Sequence, residues 1–333
     1  MTILVTGATG FVGAAIARNL LSKGIPVRVL VRPLVSPAKA DRSNLTGLKL
    51  EIAEGDLNDA QSLSAALQGC EGLFHVAADY RLWTRNPAEM LDTNIEGTRN
   101  IMRAALDTGV KRIVYTSSVA TLRLGNGDTP VDESSVATVA DMTGPYKQSK
   151  YLAEAVVADM IHSDNLPAVI VNPSTPVGPG DVKPTPTGRM IAQAAAGKMP
   201  AFVETGLNIV HVDDVAEGHI LAYDRGVIGE RYILGGENLT LGEILGEIAA
   251  ITGKRPPTLS LPHNLVMPIA ALAELWARIS GGEEPFATRD GIRMARKKMF
   301  FSSNKAETDL GYSARPAEEA LRDAVEWFQT RSG

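Results

Sequence analysis

The chain has 333 residues, enough for one large domain or two moderate ones around a sizeable core. Its 44% hydrophobic and 21% charged content is that of an ordinary globular protein, and a net charge of −5 argues against a nucleic-acid surface. One cysteine, Cys70, excludes an intrachain disulfide and fits a reducing, cytoplasmic setting.

Ile3-Leu4-Val5 reads as a buried strand, and the residues from Ala14 to Leu21 place their apolar members at helical spacing. The first apolar run is too short for a signal peptide, so none is expected. Between strand and helix lies Thr6-Gly7-Ala8-Thr9-Gly10-Phe11-Val12-Gly13, and a strand-to-helix turn is the context a dinucleotide fingerprint needs. Gly7 would allow the tight turn, Gly10 the approach of a pyrophosphate, and Gly13 close packing of the helix. That helix would offer free N–H groups at its amino terminus. Taken alone, the triplet has an ordinary glycine-rich loop as its lesser reading.

Further strands are expected over Val27 to Arg32, Leu48 to Ala53, Gly72 to Ala78, Arg112 to Thr116 and Ala168 to Val171. Helices are expected over Ser62 to Leu67, about Pro87 to Thr108, and about Pro145 to Ser163. This alternation implies an α/β fold with a doubly wound parallel sheet of about seven strands. Ligands then bind at the carboxyl ends of the strands, near the switch in strand order. From Pro173 the chain turns rich in Pro, Gly, Ser and Thr. Short elements follow at Asn208 to Val212, Val215 to Tyr223, Arg231 to Leu234, Leu241 to Ile251, Val266 to Ile279 and Pro316 to Thr330. The expected division is a dinucleotide-binding domain over 1–172, joined by about 208–229, and a smaller, mostly helical substrate lobe over 173–207 and 230–333.

Two stretches could carry chemistry. Tyr146 and Lys150, four apart behind Pro145, share one helix face. A phenol titrates near 10, and a neighbouring ammonium would lower that value enough to make Tyr146 an acid or base. A surface aromatic packed on a lysine stem is the competing reading. Tyr115-Thr116-Ser117-Ser118 ends a strand, where a serine hydroxyl could orient a substrate oxygen or simply cap a turn.

Together these motifs resemble the extended short-chain dehydrogenase/reductase family, also called the NAD-dependent epimerase/dehydratase family, over essentially the whole chain. The resemblance implies a Rossmann fold and a catalytic set of Ser118, Tyr146 and Lys150. It implies cofactor contacts from Gly7, Thr9, Gly10, Phe11, Val12 and Gly13, and from Asp56 and Leu57 in the Gly55-Asp56-Leu57 segment. Ala77 and Ala78 after His75-Val76 would line the cofactor, with Asn94 of Asn94-Ile95-Glu96-Gly97-Thr98 in support. Thr116, Tyr146, Lys150, Pro173 and Thr175 complete that set. The wording of Val76 to Trp83, Asn172 to Pro176, Lys183 to Arg189 and Arg296 to Phe301 is similar to the hopanoid-associated sugar epimerase group, often labelled dihydroflavonol-4-reductase-like.

Arg32 stands where an NAD site of this fold usually has an acid, with none nearer than Asp41, so NADP(H) is expected over NAD(H). Val119 and Ala120 follow Ser118, which argues against a dehydratase. A reversible hydride transfer at a secondary alcohol or ketone remains, as epimerase or as net reductase. A non-catalytic dinucleotide sensor and a structural role in a lipid assembly are alternatives from other classes. Asp79, Tyr80 and Trp83 would face a sugar or polycyclic substrate, with Ser118 and Arg189, or form a hydrophobic plug. His75 reads as a core residue, and Asp213 and Asp214 as helix caps. No metal site is expected. Arg293, Arg296, Lys297 and Lys298 read as a solvated face, or as a contact for a phosphorylated substrate. The segment Leu265 to Ile279 is too short and interrupted to span a bilayer; it is expected to cover a pocket, with rest against lipid as the lesser reading. The resemblance also implies a homodimer through the two long helices.

Overall fold

The computed structural model describes residues 1–33, 41–81, 84, 86–125, 127–280 and 288–332. Strands and helices alternate from the start: β1 (Thr2–Thr6), α1 (Phe11–Ser22), β2 (Val27–Val31), β3 (Glu51–Glu54), α2 (Ala60–Leu67), β4 (Cys70–His75) and α3 (Pro87–Asp107). There follow β5 (Arg112–Thr116), α4 (Gly144–Asp164), β6 (Ala168–Pro173), β7 (Thr175–Val177), α5 (Pro186–Ala195), β8 (Ala201–Phe202), β9 (Gly206–His211) and α6 (Val212–Arg225). The remaining elements are β10 (Arg231–Leu234), β11 (Glu237–Thr240), α7 (Leu241–Thr252), β12 (Leu259–Ser260), α8 (His263–Ser280), α9 (Arg289–Met294), α10 (Asn304–Leu310) and α11 (Ala317–Ser332).

Seven strands form a parallel sheet in the order β10-β6-β5-β4-β1-β2-β3. Alternation across the pleat gives β1 two buried faces. Ile3 and Val5 pack with Ile16 and Leu20 of α1 and Val215 and Ile220 of α6. Leu4 packs with Leu63 of α2, Ile101 of α3 and Val157 of α4. This is the doubly wound Rossmann architecture. The strand order reverses between β1 and β4, so their carboxyl ends open the crevice where such sheets hold ligands. A second sheet, β11-β9-β7, joins α5, α7 and α11 around another apolar core that includes Ile191, Ile244 and Leu321.

Several boundaries differ from expectation. β3 begins at Glu51, not Leu48, because the Leu48 amide donates to the Leu45 carbonyl and closes a turn. β4 stops at His75, since the amides of Val76 and Ala77 donate to Thr6 Oγ1 instead of to a neighbouring strand. Asp213 and Asp214 do not cap α6. His211 does, accepting from the Asp213 amide at 3.0 Å, while Asp214 is buried against Arg315. α8 buries Ala270 and Ala277 and turns its large apolar residues outward, so the expected cover over a pocket is not what those residues form.

Candidate active site

The fingerprint turn is built without room for side chains. Gly7 has φ +69°, and a Cβ on it would stand 2.8 Å from the Ala77 amide nitrogen. A Cβ on Gly13 would lie 2.3 Å from the Gly7 carbonyl oxygen. The turn therefore presses against the end of β4, and α1 against the turn. Gly10 is the N-cap of α1 and no side chain caps that end. Phe11 is buried, Val12 half-buried, and the first amides of the helix are left for a ligand. Asn44 Nδ2 donates to the Thr9 carbonyl at 3.2 Å and to the Gly180 carbonyl at 3.1 Å, tying the turn to the loop after β7.

Around this turn the strand ends are held by hydroxyls. Thr6 Oγ1 lies 2.8 Å from His75 Nδ1, and His75 Nε2 lies 3.2 Å from Thr98 Oγ1. Burial pushes the imidazole down to about 3, so His75 is a neutral core residue, as its strand context implied. Asp56 follows β3 and accepts from the Asn58 amide; the Leu57 carbonyl accepts from Asn100 of α3. Arg32 is exposed at the end of β2, and its carbonyl accepts from Arg42 Nη2 at 3.0 Å.

Across the crevice, Tyr146 stands in the first turn of α4, with Ser118, just beyond the end of β5, close enough to its hydroxyl to influence its titration. Burial raises the phenol above its usual value and the neighbouring Ser118 hydroxyl opposes that rise. The expected lowering by Lys150 is not seen. Lys150 Nζ donates to the Thr116 carbonyl at 2.8 Å, and burial lowers its ammonium to about 8 against the opposing pull of Glu154. Thr116 Oγ1 also pairs with His219 Nε2 at 2.9 Å. Ser118 does cap a turn, accepting from the Ala120 amide.

A second layer keeps this cluster in place. Asn94 accepts from the Asp79 amide at 2.7 Å and donates to the Asp79 carbonyl and to Ser149 Oγ, each at 2.9 Å. Ser149 in turn donates to the Tyr146 carbonyl at 2.8 Å. Asn94 thus braces the loop after β4 against the helix that carries Tyr146. Glu154, one turn beyond Lys150, accepts from Ser117, from Thr121 and from Asn172, and pairs with Arg231. Lys147 is 7% exposed and has no polar partner among the described residues.

On the side away from the turn, Asp79 pairs with Arg81, and Tyr80 is 42% exposed. Asp181 lies close enough to Tyr80 and Arg189 to shift the titration of the first and be shifted by the second. Pro173 ends β6 and Thr175 begins β7, pairing opposite Ile209. Between them, Ser174 Oγ is buried without a partner among the described residues. Trp83 lies outside the described residues.

Residues 3–235 match the NAD dependent epimerase/dehydratase family. The chain belongs to that family. It is 44% identical over 332 residues to a putative dihydroflavonol 4-reductase of Synechocystis sp., covering 98% of this chain and 94% of that one. It is 35% identical to sterol demethylase protein B of Methylococcus capsulatus, covering 99% of each. The crystal structure of gox2253 superposes with a TM-score of 0.88 at 53% identity, covering 99% of this chain and 98% of that one.

Members of the epimerase/dehydratase family bind a nicotinamide dinucleotide, and the residues here fit that group. Side chains on Gly7 and Gly13 would fill the space the turn keeps closed, the α1 amides are uncapped, and Ser174 offers a free hydroxyl. Among the described residues, no three His, Cys, Asp or Glu side chains converge on a metal position. Sequence reasoning missed Asn44, Ser149, Glu154 and Asp181. Glu154 had a signal, since it continues the four-residue spacing of Tyr146 and Lys150. Asn44 had none, because its partner Gly180 lies 136 residues along the chain, and Asp181 had none, because it acts through burial.

Proposed function

We propose that the chain is an NADP-dependent oxidoreductase that exchanges a hydride reversibly at a secondary alcohol or ketone, with net reduction as its working direction. One observation carries the reading: Tyr146 and Ser118 come together at the carboxyl end of β5, with Lys150 one turn along the same helix. The turn from Gly7 to Gly13 would hold the dinucleotide, with Arg32 at the adenosine end and Pro173 and Thr175 towards the nicotinamide. When bound, the cofactor supplies the hydride. Ser118 holds the substrate oxygen, and Tyr146 gives that oxygen its proton. Lys150, charged below about pH 8, would hold the nicotinamide ribose. The names of the reductase and sterol relatives support a carbonyl or alcohol on a polycyclic framework. The likeness to sugar epimerases supports a second outcome, in which the same residues oxidise and re-reduce one carbon.

Tyr146→Phe tests the chemistry. It should lower turnover at least about a hundredfold while leaving dinucleotide affinity within about twofold. Unchanged turnover removes Tyr146 from the mechanism. Arg32→Ala tests the cofactor: a guanidinium on a 2′-phosphate should make NADP binding at least about tenfold weaker and leave NAD binding unaltered. Dinucleotide released on denaturing the purified chain decides the direction. Retained NAD favours the epimerase outcome and sinks the NADP assignment, whereas a chain that takes up NADP from solution supports net reduction.

A further inference from the structure

α8 is built the wrong way round for a helix of a water-soluble lobe. Its inward side is small, with Ala270 and Ala277 buried. Leu265, Ile269, Leu272, Leu275, Trp276 and Ile279 are all at least half exposed, from 54% for Leu275 to 73% for Ile279. With Pro268, which is also exposed, they fall at 3.6 residues per turn in an arc about 120° wide. Solitary exposed apolar residues are ordinary, but a continuous stripe of this length marks a surface that meets something apolar.

The charge around the stripe says what. Between 254 and 298 the sequence holds eight Lys and Arg against four Asp and Glu, in a chain whose net charge is −5. Arg289, Arg293 and Arg296 are exposed on the packed neighbour α9 and just beyond it. Arg293 pairs with Asp290, but Arg296 bonds Asn264 at the start of α8, a neutral partner that leaves its charge intact, and the Arg289 amide donates to Glu274 of α8. An apolar stripe carrying a tryptophan and flanked by cations suits an anionic lipid surface, where the helix lies in the headgroup plane. A second copy of this chain would set like charges against each other. Among the described residues, no helix is long and apolar enough to cross a membrane, so the contact is with one face only.

We infer that α8 docks this protein on an anionic bilayer. The position has a consequence for the proposed site. A Cβ on Gly144 would stand 2.8 Å from Asp290 of α9, so the α8–α9 unit sits against the first turn of α4, two residues from Tyr146. Docking would therefore bring the mouth of that site to the lipid surface, where a lipophilic substrate would reach it. This consequence rests on the proposed role of Tyr146; the docking itself does not.

The test is flotation of the full chain with vesicles of phosphatidylcholine, alone or mixed with phosphatidylglycerol. The chain should rise with the mixed vesicles, and much less with phosphatidylcholine alone or at high salt. The paired changes Leu272→Glu with Trp276→Glu, and separately Arg289→Glu with Arg293→Glu, should each cut the floated fraction about tenfold. Melting temperature and dinucleotide titration should stay as in the parent, which separates docking from folding and from the catalytic reading. Failure of the parent to float on either vesicle overturns the inference. So does a dimer in solution that Leu272→Glu with Trp276→Glu converts to monomer, since a second copy would then be the occupant.

Discussion

Asp181 is a carboxylate held away from water, 3% exposed, accepting from the Thr185 amide and hydroxyl at the start of α5. Burial outweighs those bonds and raises its titration from 3.8 to about 6. The folded chain thus holds this proton more tightly than the unfolded chain. That contribution to stability is fully present below about pH 4 and is lost as the pH climbs through about 6. At 1.36 kcal/mol per unit it amounts to at most about 3 kcal/mol. Urea unfolding at pH 4, 5 and 7 should show the parent losing more stability than Asp181→Asn across that interval. Parallel curves for the two proteins would remove Asp181 as the titrating group. Nothing in the sequence marked this residue, because its carboxyl acts through burial beneath Gly188, where a Cβ would meet Asp181 Oδ2. His75 was legible for the opposite reason. Its neighbours Leu73, Phe74 and Val76 announce an apolar strand, and a histidine there must be neutral and hydrogen-bonded.

At the scale of elements, the brace from α3 to α4 sets where Tyr146 stands. Asn94 spends both of its donors and its carbonyl on protein partners, Asp79 on one side and Ser149 on the other. On the proposed mechanism it would be a positioning residue. Asn94→Ala removes the donor to the buried Ser149 hydroxyl, which keeps only its bond to the Tyr146 carbonyl, and leaves the Asp79 backbone unpaired, at a cost of about 1–3 kcal/mol. Turnover should then fall with little change in dinucleotide affinity, and Asn94→Asp should recover part of it by accepting from the Asp79 amide again. Equal loss of turnover and affinity would point to general damage instead. The helices themselves were readable from Asn86 and Pro87 at the head of α3, and from Pro145 with the following Tyr-Lys spacing in α4. Their joint was not readable, because Asn94 and Ser149 meet only after the sheet has brought β4 and β5 side by side.

At the scale of the molecule, the alternation of strands and helices made the parallel sheet legible, since right-handed crossovers leave few orders for such a pattern. How the later elements attach was less so. β9 runs directly into α6, so one segment serves the small sheet and then the flank of the large one. The two buried acidic-basic contacts at that corner both reach α11 or the residues before it. Asp214 of α6 takes the Arg315 fork at 2.8 and 3.0 Å, and His211 lies 3.1 Å from Asp323. Asp213 and Asp214 looked like caps in the sequence because the partner of Asp214 is 101 residues away. The Arg315 pair is partly buried and doubly bonded, which is the geometry in which an ion pair contributes measurably. Arg315→Ala leaves the enclosed Asp214 carboxyl without its partner, so it should cost about 1–3 kcal/mol. The loss should be local, with amide hydrogen exchange quickening through α11 while β1, β4 and β5 keep the protection of the parent. Exchange that quickens evenly over the large sheet and α11 would mean the two cores unfold as one unit, and Arg315 would then stabilise the whole molecule rather than pin one corner of it.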